Sequence, residues 1–294
     1  MKSYQIRHLT RYSYQHAVAN SYNLLCLQPL SDHRQQLRQF SLAIDPQTAP
    51  LYEQQDWFGN HKQLLHLPQS HQGLCVVASS VLQVSPDAER QYSERPWSEA
   101  LVGSAPAATV DLQACLCSKT SPMLPQLAGC RAFIQPLAAP DLSVVQLAAA
   151  LSEKIYRQFD YDPGFSSVAT PLTEVLHHKK GVCQDFAHLA IACLRSLGLS
   201  ARYVSGYLET EAPPGQPKLT GADASHAWFE VWCPDSGWVG FDPTNNLQPN
   251  GRHLVLARGR DYSDVVPLKG LVLGHGDHQL EVEVDVMPIP AEFS

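Results

Sequence analysis

A short segment at residues 180–189 constrains the fold more than any other part of the chain. Gly181 ends a loop, Cys183 follows two residues later, and a helical pattern begins there. The apolar residues that follow recur at the spacing of one helix face, which should be buried: Phe186, Leu189, Ala190, Cys193, Leu194 and Leu197. Gly198 favours the left-handed conformation at which many helices end. The sequence therefore predicts that Cys183 lies in the first turn of a buried helix.

The first turn of a helix is a favourable place for a nucleophilic thiolate. Unpaired backbone N–H groups and the positive end of the helix dipole both stabilise negative charge there. Most cysteines, in contrast, are small buried apolar residues, and Cys193 on the apolar face of the same helix fits that description. A catalytic role for Cys183 requires a base and an orienting acid, and the chain offers both downstream.

Two downstream segments have the composition of β-strands. Residues 224–232 and 238–244 are rich in aromatic and β-branched side chains. Between them, Pro, Asp, Ser and Gly at 234–237 favour a turn. We therefore expect an antiparallel hairpin.

The register of this hairpin decides which side chains meet. If Trp232 pairs with Trp238, Thr244 lies opposite His226 and Asp242 lies on its diagonal. Because strand side chains alternate with a period of two, His226 and Asp242 then share one face of the sheet. The alternative interpretations are a satisfied core histidine and a carboxylate at a strand end.

Four segments of the chain together resemble the bacterial transglutaminase-like superfamily: 181–187, 201–207, 226–228 and 240–244. The match covers roughly Leu142 to Asn246. That family has a papain-like core, with a cysteine on a helix and a histidine and an aspartate on adjacent strands. The resemblance implies that Cys183, His226 and Asp242 form a catalytic triad.

The triad residue types predict acyl transfer. A thiolate attacks an amide or ester carbonyl, the imidazole keeps it ionised and protonates the leaving group, and the carboxylate orients the imidazole. The oxyanion hole should include the backbone N–H of Cys183. The animal transglutaminases use an upstream tryptophan as the second donor, yet no Trp lies between Trp97 and Cys183.

The sequence gives weaker evidence for the roles of other residues near the site. Tyr161 and Gln184 are candidates for the second oxyanion donor, although Gln184 could equally be an ordinary first-turn residue. Trp228 is a candidate wall of the cleft, and packing alone explains it equally well. Nothing in the sequence resembles the acidic calcium loops of the animal enzymes.

The predicted fold class is α+β. Residues 1–85 contain short alternating strands separated by turns, which predicts an N-terminal antiparallel β-sandwich domain. A Pro- and Ala-rich helical segment at 86–140 connects it to a transglutaminase-like core at 141–250. The C-terminal extension at 251–294 includes an alternating strand at 279–286, which we expect to rejoin the N-terminal sheet.

Two N-terminal motifs, residues 8–14 and 56–60, resemble the N-terminal region that accompanies this bacterial core. We interpret His8 and the tyrosines after it as a structural strand face. Residues 56–60 are interpreted as an aromatic turn that packs between sheets, with a position near the catalytic cleft as the alternative.

Several helices are expected between these regions. Short helical patterns occur at 97–102, 111–117 and 173–178. Asp141 is the predicted N-cap of a longer helix, whose buried face contains Val144, Leu147, Ala148, Leu151, Ile155 and Phe159.

Composition limits the partners and the compartment. The formal charge of −7 and the absence of a basic stripe argue against a nucleic-acid partner. No apolar run of about 18 residues could span a membrane, and the N-terminus lacks a signal-peptide pattern.

The eight cysteines are irregularly spaced, which favours free thiols in a reducing cytoplasm. Cys115, Cys117 and the His177–His178 pair have poor spacing for metal ligands, so neither metal nor cofactor is expected. The oligomeric state stays open.

Three functions fit these features. The first is a cysteine peptidase or amidase, in which water accepts the acyl group of a peptide or protein amide from the thioester. The second is a protein or peptide transglutaminase, in which an amine accepts it. The third is a non-catalytic binding module. We favour hydrolysis, because no feature marks an amine-binding groove and the bacterial relatives are often described as candidate cysteine proteases.

Overall fold

The computed structural model describes residues 1–85, 91–101, 111–210, 225–274 and 276–290. In chain order, its strands and helices are β1 (Lys2–Val18), β2 (Asn20–Leu25), β3 (Gln35–Asp45), β4 (Pro50–Gln55), β5 (His61–Leu67), β6 (His71–Val84), α1 (Leu112–Cys117), α2 (Ala128–Ile134), α3 (Val144–Gln158), β7 (Asp160–Tyr161), α4 (Leu172–His178), β8 (Lys180–Gly181), α5 (Cys183–Ser196), β9 (Ala201–Leu208), β10 (Ser225–Cys233), β11 (Gly237–Phe241), β12 (His253–Gly259), β13 (Leu268–Leu273) and β14 (His278–Ile289). The predicted α+β fold class is confirmed.

The N-terminal strands form two antiparallel sheets that pack face to face. One sheet has the order β14-β1-β6-β3 and the other β13-β2-β5-β4. Along β6, buried residues alternate with more exposed ones, as expected for a strand with one face in a core. The core between the sheets consists mainly of aliphatic side chains: Leu25, Leu27, Leu65, Leu67, Leu74, Val76, Ala78 and Leu268. The alternating segment 279–286 lies in β14, which pairs with β1.

A third antiparallel sheet, in the order β11-β10-β9-β12, carries α3 and α5 on one side. Trp232 pairs with Trp238 and Phe229 with Phe241, which confirms the predicted hairpin register as far as Phe241. The strand ends there, and Thr244 lies in a turn rather than opposite His226 as predicted. The helices and this sheet share a buried cluster with residues of the N-terminal sheet, including Tyr4 and Leu82. The sandwich and the helical core are therefore packed directly on each other.

The N-terminal region also completes the free edge of the third sheet, at β12. The amide of Gln35 donates to the Val255 carbonyl at 2.7 Å and accepts from the Val255 N–H at 2.8 Å. Asn60 does the same with Arg258, at 2.6 and 2.9 Å. Two side-chain amides thus supply hydrogen bonds that a neighbouring strand would otherwise provide. Buried Asn60 therefore has a structural role, but Trp57 is 75% exposed, so the prediction that the aromatic residues of the 56–60 turn pack between sheets is wrong for Trp57.

The helix α3 begins at a different residue from the one predicted. Asp141 is exposed, and the N-cap is Ser143. The Ser143 hydroxyl accepts from the Gln146 N–H at 3.3 Å, and the Gln146 side chain accepts from the Ser143 N–H at 2.9 Å. The prediction overlooked this capping box, a serine followed three residues later by glutamine, which satisfies two backbone donors at once.

The connecting segment packs on the core through short helices. Trp97–Ala100 forms a 3₁₀ turn, whereas the last residue of the predicted helical piece at 97–102 lies outside the described residues. The helix α1 begins after Asp111, whose carboxylate accepts from the Ala114 N–H at 2.8 Å. Partly buried Arg195 donates to the carbonyls of Cys117 and Arg260, both at 2.7 Å, and so ties this segment to α5.

Buried charges on the third sheet are paired. Arg202 lies 2.6 Å from Glu230, and Arg258 lies 2.6 Å from Asp32. Burial opposes ionisation of Glu230, but the two guanidinium groups hold its pKa below the ordinary value. None of the helices in the described part of the chain is long and apolar enough to cross a membrane.

Close packing around Gly206 makes this glycine essential to the sheet. A Cβ at Gly206 would lie 2.5 Å from the indole of Trp228 and closer still to the carbonyl oxygen of Leu254. The residue also pairs with His226 across the β9–β10 ladder. A side chain here would therefore push apart the strands that hold His226.

We expect Gly206→Ala to lower the free energy of unfolding by about 2–3 kcal/mol, because overpacking against a backbone carbonyl cannot relax. Gly129→Ala is the matched control. It lies in α2, its Cβ would meet only the Leu176 side chain at 3.4 Å, and alanine should stabilise this helix by about 0.5–1 kcal/mol. Denaturant unfolding measures both variants, and a Gly206→Ala protein as stable as the parent would contradict the packing argument.

Candidate active site

The N-terminus of α5 is built to present Cys183. The Asp185 carboxylate reaches back to accept the Val182 N–H at 2.8 Å and the Ser166 hydroxyl at 2.5 Å. A Cβ at Gly181 would lie 2.7 Å from that carboxylate, so only glycine leaves room for this cap. Asp185 is buried, which raises its pKa. Cys183 itself is partly exposed, and Cys193 is buried in the core as expected.

Tyr161 lies next to Cys183. The short strands β7 and β8 pair in parallel, with Tyr161 opposite Gly181. Burial and the nearby Cys183 charge both raise the pKa of Tyr161, so its hydroxyl keeps its proton. The side chain is 56% exposed and therefore faces the surface beside the thiol. Gln184 is partly buried in the first turn of α5.

His226 is in contact with both Asp242 and Cys183. Its Nε2 lies 2.7 Å from Asp242 Oδ2, so the predicted meeting of these two side chains is confirmed. Burial lowers the pKa of His226, but the hydrogen bonds and charges of Asp242 and Cys183 raise it to about 10. Because Nε2 faces the carboxylate, Nδ1 is the nitrogen that remains for the thiol. A pKa of about 10 means that the imidazole is positively charged at neutral pH.

The Asp242 carboxylate is fully buried and surrounded by donors. Oδ2 contacts His226, the Asn245 amide at 2.7 Å and His253 Nε2 at 3.1 Å. Oδ1 accepts from the backbone N–H groups of Thr244 at 2.9 Å and Asn245 at 3.3 Å. Burial opposes the charged form, but these hydrogen bonds hold the pKa of Asp242 well below its usual range. The carboxylate is thus ionised and fixed in orientation.

His253 was not predicted from the sequence. It begins β12, which follows β11 in sequence but pairs with β9 on the far side of β10. The sequence motifs end at Asn246, and His253 opens an apolar run without a distinctive spacing. Only the non-local pairing of β12 brings this side chain to Asp242.

Trp228 does not form a wall of the cleft, so that prediction is wrong. The side chain is 1% exposed and packs with Leu30, Val204 and Val255. Its ring centroid lies 6.1 Å from that of His226 and 5.3 Å from that of His253. The packing interpretation holds instead, because Gly206 opens a space under the indole.

The atoms of His226, Asp242 and His253 lie within 4.8 Å of one another, close enough for a metal ion. However, both imidazole Nε2 atoms are hydrogen-bonded to the same carboxylate oxygen, at 2.7 and 3.1 Å. The potential ligand atoms are therefore engaged with each other. This arrangement suits proton transfer between a thiol and an imidazole rather than metal coordination.

Two protein-family models match separate segments of the chain. Residues 131–243 match the family model of the transglutaminase-like superfamily, and residues 4–83 match that of the bacterial transglutaminase-like N-terminal region. The core match includes Cys183, His226 and Asp242, whereas His253 lies beyond its end.

Similar proteins occur in several bacteria. An uncharacterised Mycobacterium tuberculosis protein is 36% identical over 304 residues, covering 98% of this chain and 94% of the relative. A Pseudomonas aeruginosa protein-glutamine gamma-glutamyltransferase is 30% identical over 134 residues, covering 42% of this chain and 20% of that protein. Among solved structures, a candidate cysteine protease from Cytophaga hutchinsonii has the same fold, with a TM-score of 0.75, 20% identity and coverage of 100% and 92% of the two chains.

The charge on His226 leads to a testable prediction. Its ring should titrate at a pKa of about 10, and Cys183→Ala should lower that value, because the cysteine contributes a hydrogen bond and a negative charge. The measurement is the histidine ring resonance followed by NMR between about pH 5 and pH 11, with His226→Gln used for assignment. A ring that titrates near the ordinary value of about 6.5 would contradict the site described here.

Proposed function

The chain belongs to the transglutaminase-like superfamily, and we propose that it transfers acyl groups from peptide or protein amides through a thioester on Cys183. The observation that carries this proposal is the double contact of His226. One ring nitrogen is held by the buried carboxylate of Asp242 at 2.7 Å, and the ring also bonds to Cys183 at the start of α5. Base, nucleophile and orienting acid are thus assembled from three separate elements.

In the proposed acylation, the Cys183 proton is held by His226, and the thiolate attacks the amide carbonyl carbon. The new S–C bond gives a tetrahedral intermediate, and the C–N bond then breaks as His226 donates a proton to the departing amine. Asp242 stabilises the imidazolium throughout and stays ionised. The product of this step is a thioester on Cys183 and a free amine.

In deacylation, His226 acts as a base instead of an acid. His226 accepts a proton from water, the hydroxide attacks the thioester carbonyl, and the S–C bond breaks with the sulfur leaving as a thiolate. The released product is a carboxylic acid. Neither step requires a metal ion or an organic cofactor.

The oxyanion of both intermediates needs hydrogen-bond donors. We assign the first to the backbone N–H of Cys183, which is unpaired in the first turn of α5. Tyr161 is the better supported second donor, because it lies beside Cys183, keeps its hydroxyl proton and faces the surface. Gln184 is the alternative from the same turn.

We favour water over an amine as the acyl acceptor. A lysine acceptor would be recruited by free acidic groups beside the thiol, yet two of the nearby carboxylates are engaged. Asp185 caps α5, and Asp162 lies 3.3 Å from Lys180. The P. aeruginosa relative supports the alternative, a transglutaminase that transfers the acyl group to an amine. A non-catalytic binding module is disfavoured, because binding alone does not require a charged histidine in contact with a cysteine.

The cysteines support a reducing compartment. All eight are free, although Cys130 and Cys193 contact each other closely enough to share a hydrogen bond. Proteins in oxidising compartments commonly carry disulfides. We therefore propose a cytoplasmic location.

The fate of the thioester distinguishes the two enzymatic functions. With an activated ester or a glutamine peptide as substrate, we expect hydrolysis to dominate, with little trapping by a primary amine at millimolar concentration. An amine competes with water only where the site excludes water and binds the amine. The measurement is the ratio of acid to amide product by mass spectrometry as the amine concentration rises.

Cys183→Ala is the blank for this experiment, because it removes the nucleophile and keeps the fold. Amide product that dominates at low amine concentration would establish the transglutaminase instead. Equal turnover by the parent and by Cys183→Ala would contradict acyl transfer through this residue.

A further inference from the structure

The Asp242 carboxylate is shared by two histidines. His226 and His253 both direct Nε2 at the same oxygen, Oδ2, at 2.7 and 3.1 Å. The acyl-transfer mechanism uses only His226. His253 is nevertheless one of the most buried polar residues of the site, and its interaction with the carboxylate requires a separate explanation.

The other ring nitrogen of His253 defines which atom carries the proton. Nδ1 lies 3.3 Å from the backbone nitrogen of Asn250, which can only donate. A neutral imidazole that accepts at Nδ1 carries its proton at Nε2. Burial lowers the pKa of His253, although the hydrogen bond and charge of Asp242 oppose this effect, and the charges of His226 and Arg34 lower it further. His253 therefore donates to Asp242 as a neutral ring.

The backbone holds the two histidines at a fixed separation. His226 pairs with Gly206 and His253 with Leu208, so both are attached to opposite edges of β9. The Trp228 ring packs against both imidazoles, with centroids at 6.1 and 5.3 Å. On the outer edge of β12, the Gln35 amide pairs with the Val255 backbone. His253 is thus immobilised from both sides.

We propose that His253 is a positioning residue, which holds Asp242 Oδ2 in line with Nε2 of His226. This inference rests on the proposed function, because it gives His253 a role only if the charged His226 supports a Cys183 nucleophile. The backbone donors at Oδ1 fix one end of the carboxylate. The His253 N–H and the Asn245 amide fix the other end, so that the oxygen cannot turn away when His226 takes up a proton.

Two substitutions separate this role from simple packing. His253→Phe keeps a planar aromatic ring but lacks a donor, whereas His253→Gln keeps a side-chain N–H that can reach the carboxylate. His8→Phe is the matched control. His8 is also buried, at 2% exposure, and its Nδ1 contacts the Tyr207 hydroxyl at 2.9 Å rather than a triad residue.

The readout is the rate of Cys183 alkylation by iodoacetamide as a function of pH, with peptide mapping to separate it from the other seven cysteines. This measurement needs no substrate. In His253→Phe, the acid limb of the profile should move to higher pH by about one unit, which is a roughly tenfold slower reaction on that limb. The shift follows because a mobile carboxylate stabilises the His226 imidazolium less well.

His253→Gln should restore most of the parent profile, and His8→Phe should lower the thermal midpoint without moving the limb. A His253→Phe profile that coincides with that of the parent would overturn the positioning role. So would a shift of the same size in His8→Phe, because loss of stability would then explain it. A parent protein in which Cys183 reacts no faster than the other cysteines would instead contradict the proposed function itself.

Discussion

The buried carboxylate of Asp242 is the group on which the rest of the site depends. A charge removed from water costs several kcal/mol unless donors and an opposite charge replace the lost hydration. Here the replacements come from His226 on β10, His253 on β12 and the turn after β11, which supplies Thr244 and Asn245. The third sheet must therefore be assembled before the carboxylate can be buried. The same donors that stabilise its charge also fix the direction in which it faces His226.

The N-terminal sandwich takes part in this assembly. β12 is an edge strand of the third sheet, and its outer hydrogen-bonding groups would otherwise face solvent or a second chain. Gln35 and Asn60 occupy that edge, and Tyr4 donates to Glu209 at 2.8 Å beyond the end of β9. The N-terminal region thus secures the strand that carries His253. This dependence gives a physical reason for the sandwich and the core to occur together in one chain.

The parts of the site that could be predicted are those encoded by local patterns. Helical periodicity after Gly181 predicts Cys183 at a helix start, and the supposed pairing of Trp232 with Trp238 across the 234–237 turn brings His226 to Asp242. His253 could not be found in this way, because its position depends on a strand pairing between distant segments. The burial of Trp228 depends on the space that Gly206 leaves on the neighbouring strand, which a strand pattern alone does not reveal.

The proposed function depends on a covalent acyl group on Cys183, and mass spectrometry of the intact protein detects such a group directly. The protein is incubated with an activated ester or amide, quenched in acid within the first turnovers and digested to locate the adduct. We expect a mass increase equal to the acyl group, found on the peptide that contains Cys183 and absent from Cys183→Ala. An unmodified Cys183 during substrate turnover, or the same adduct in Cys183→Ala, would contradict it.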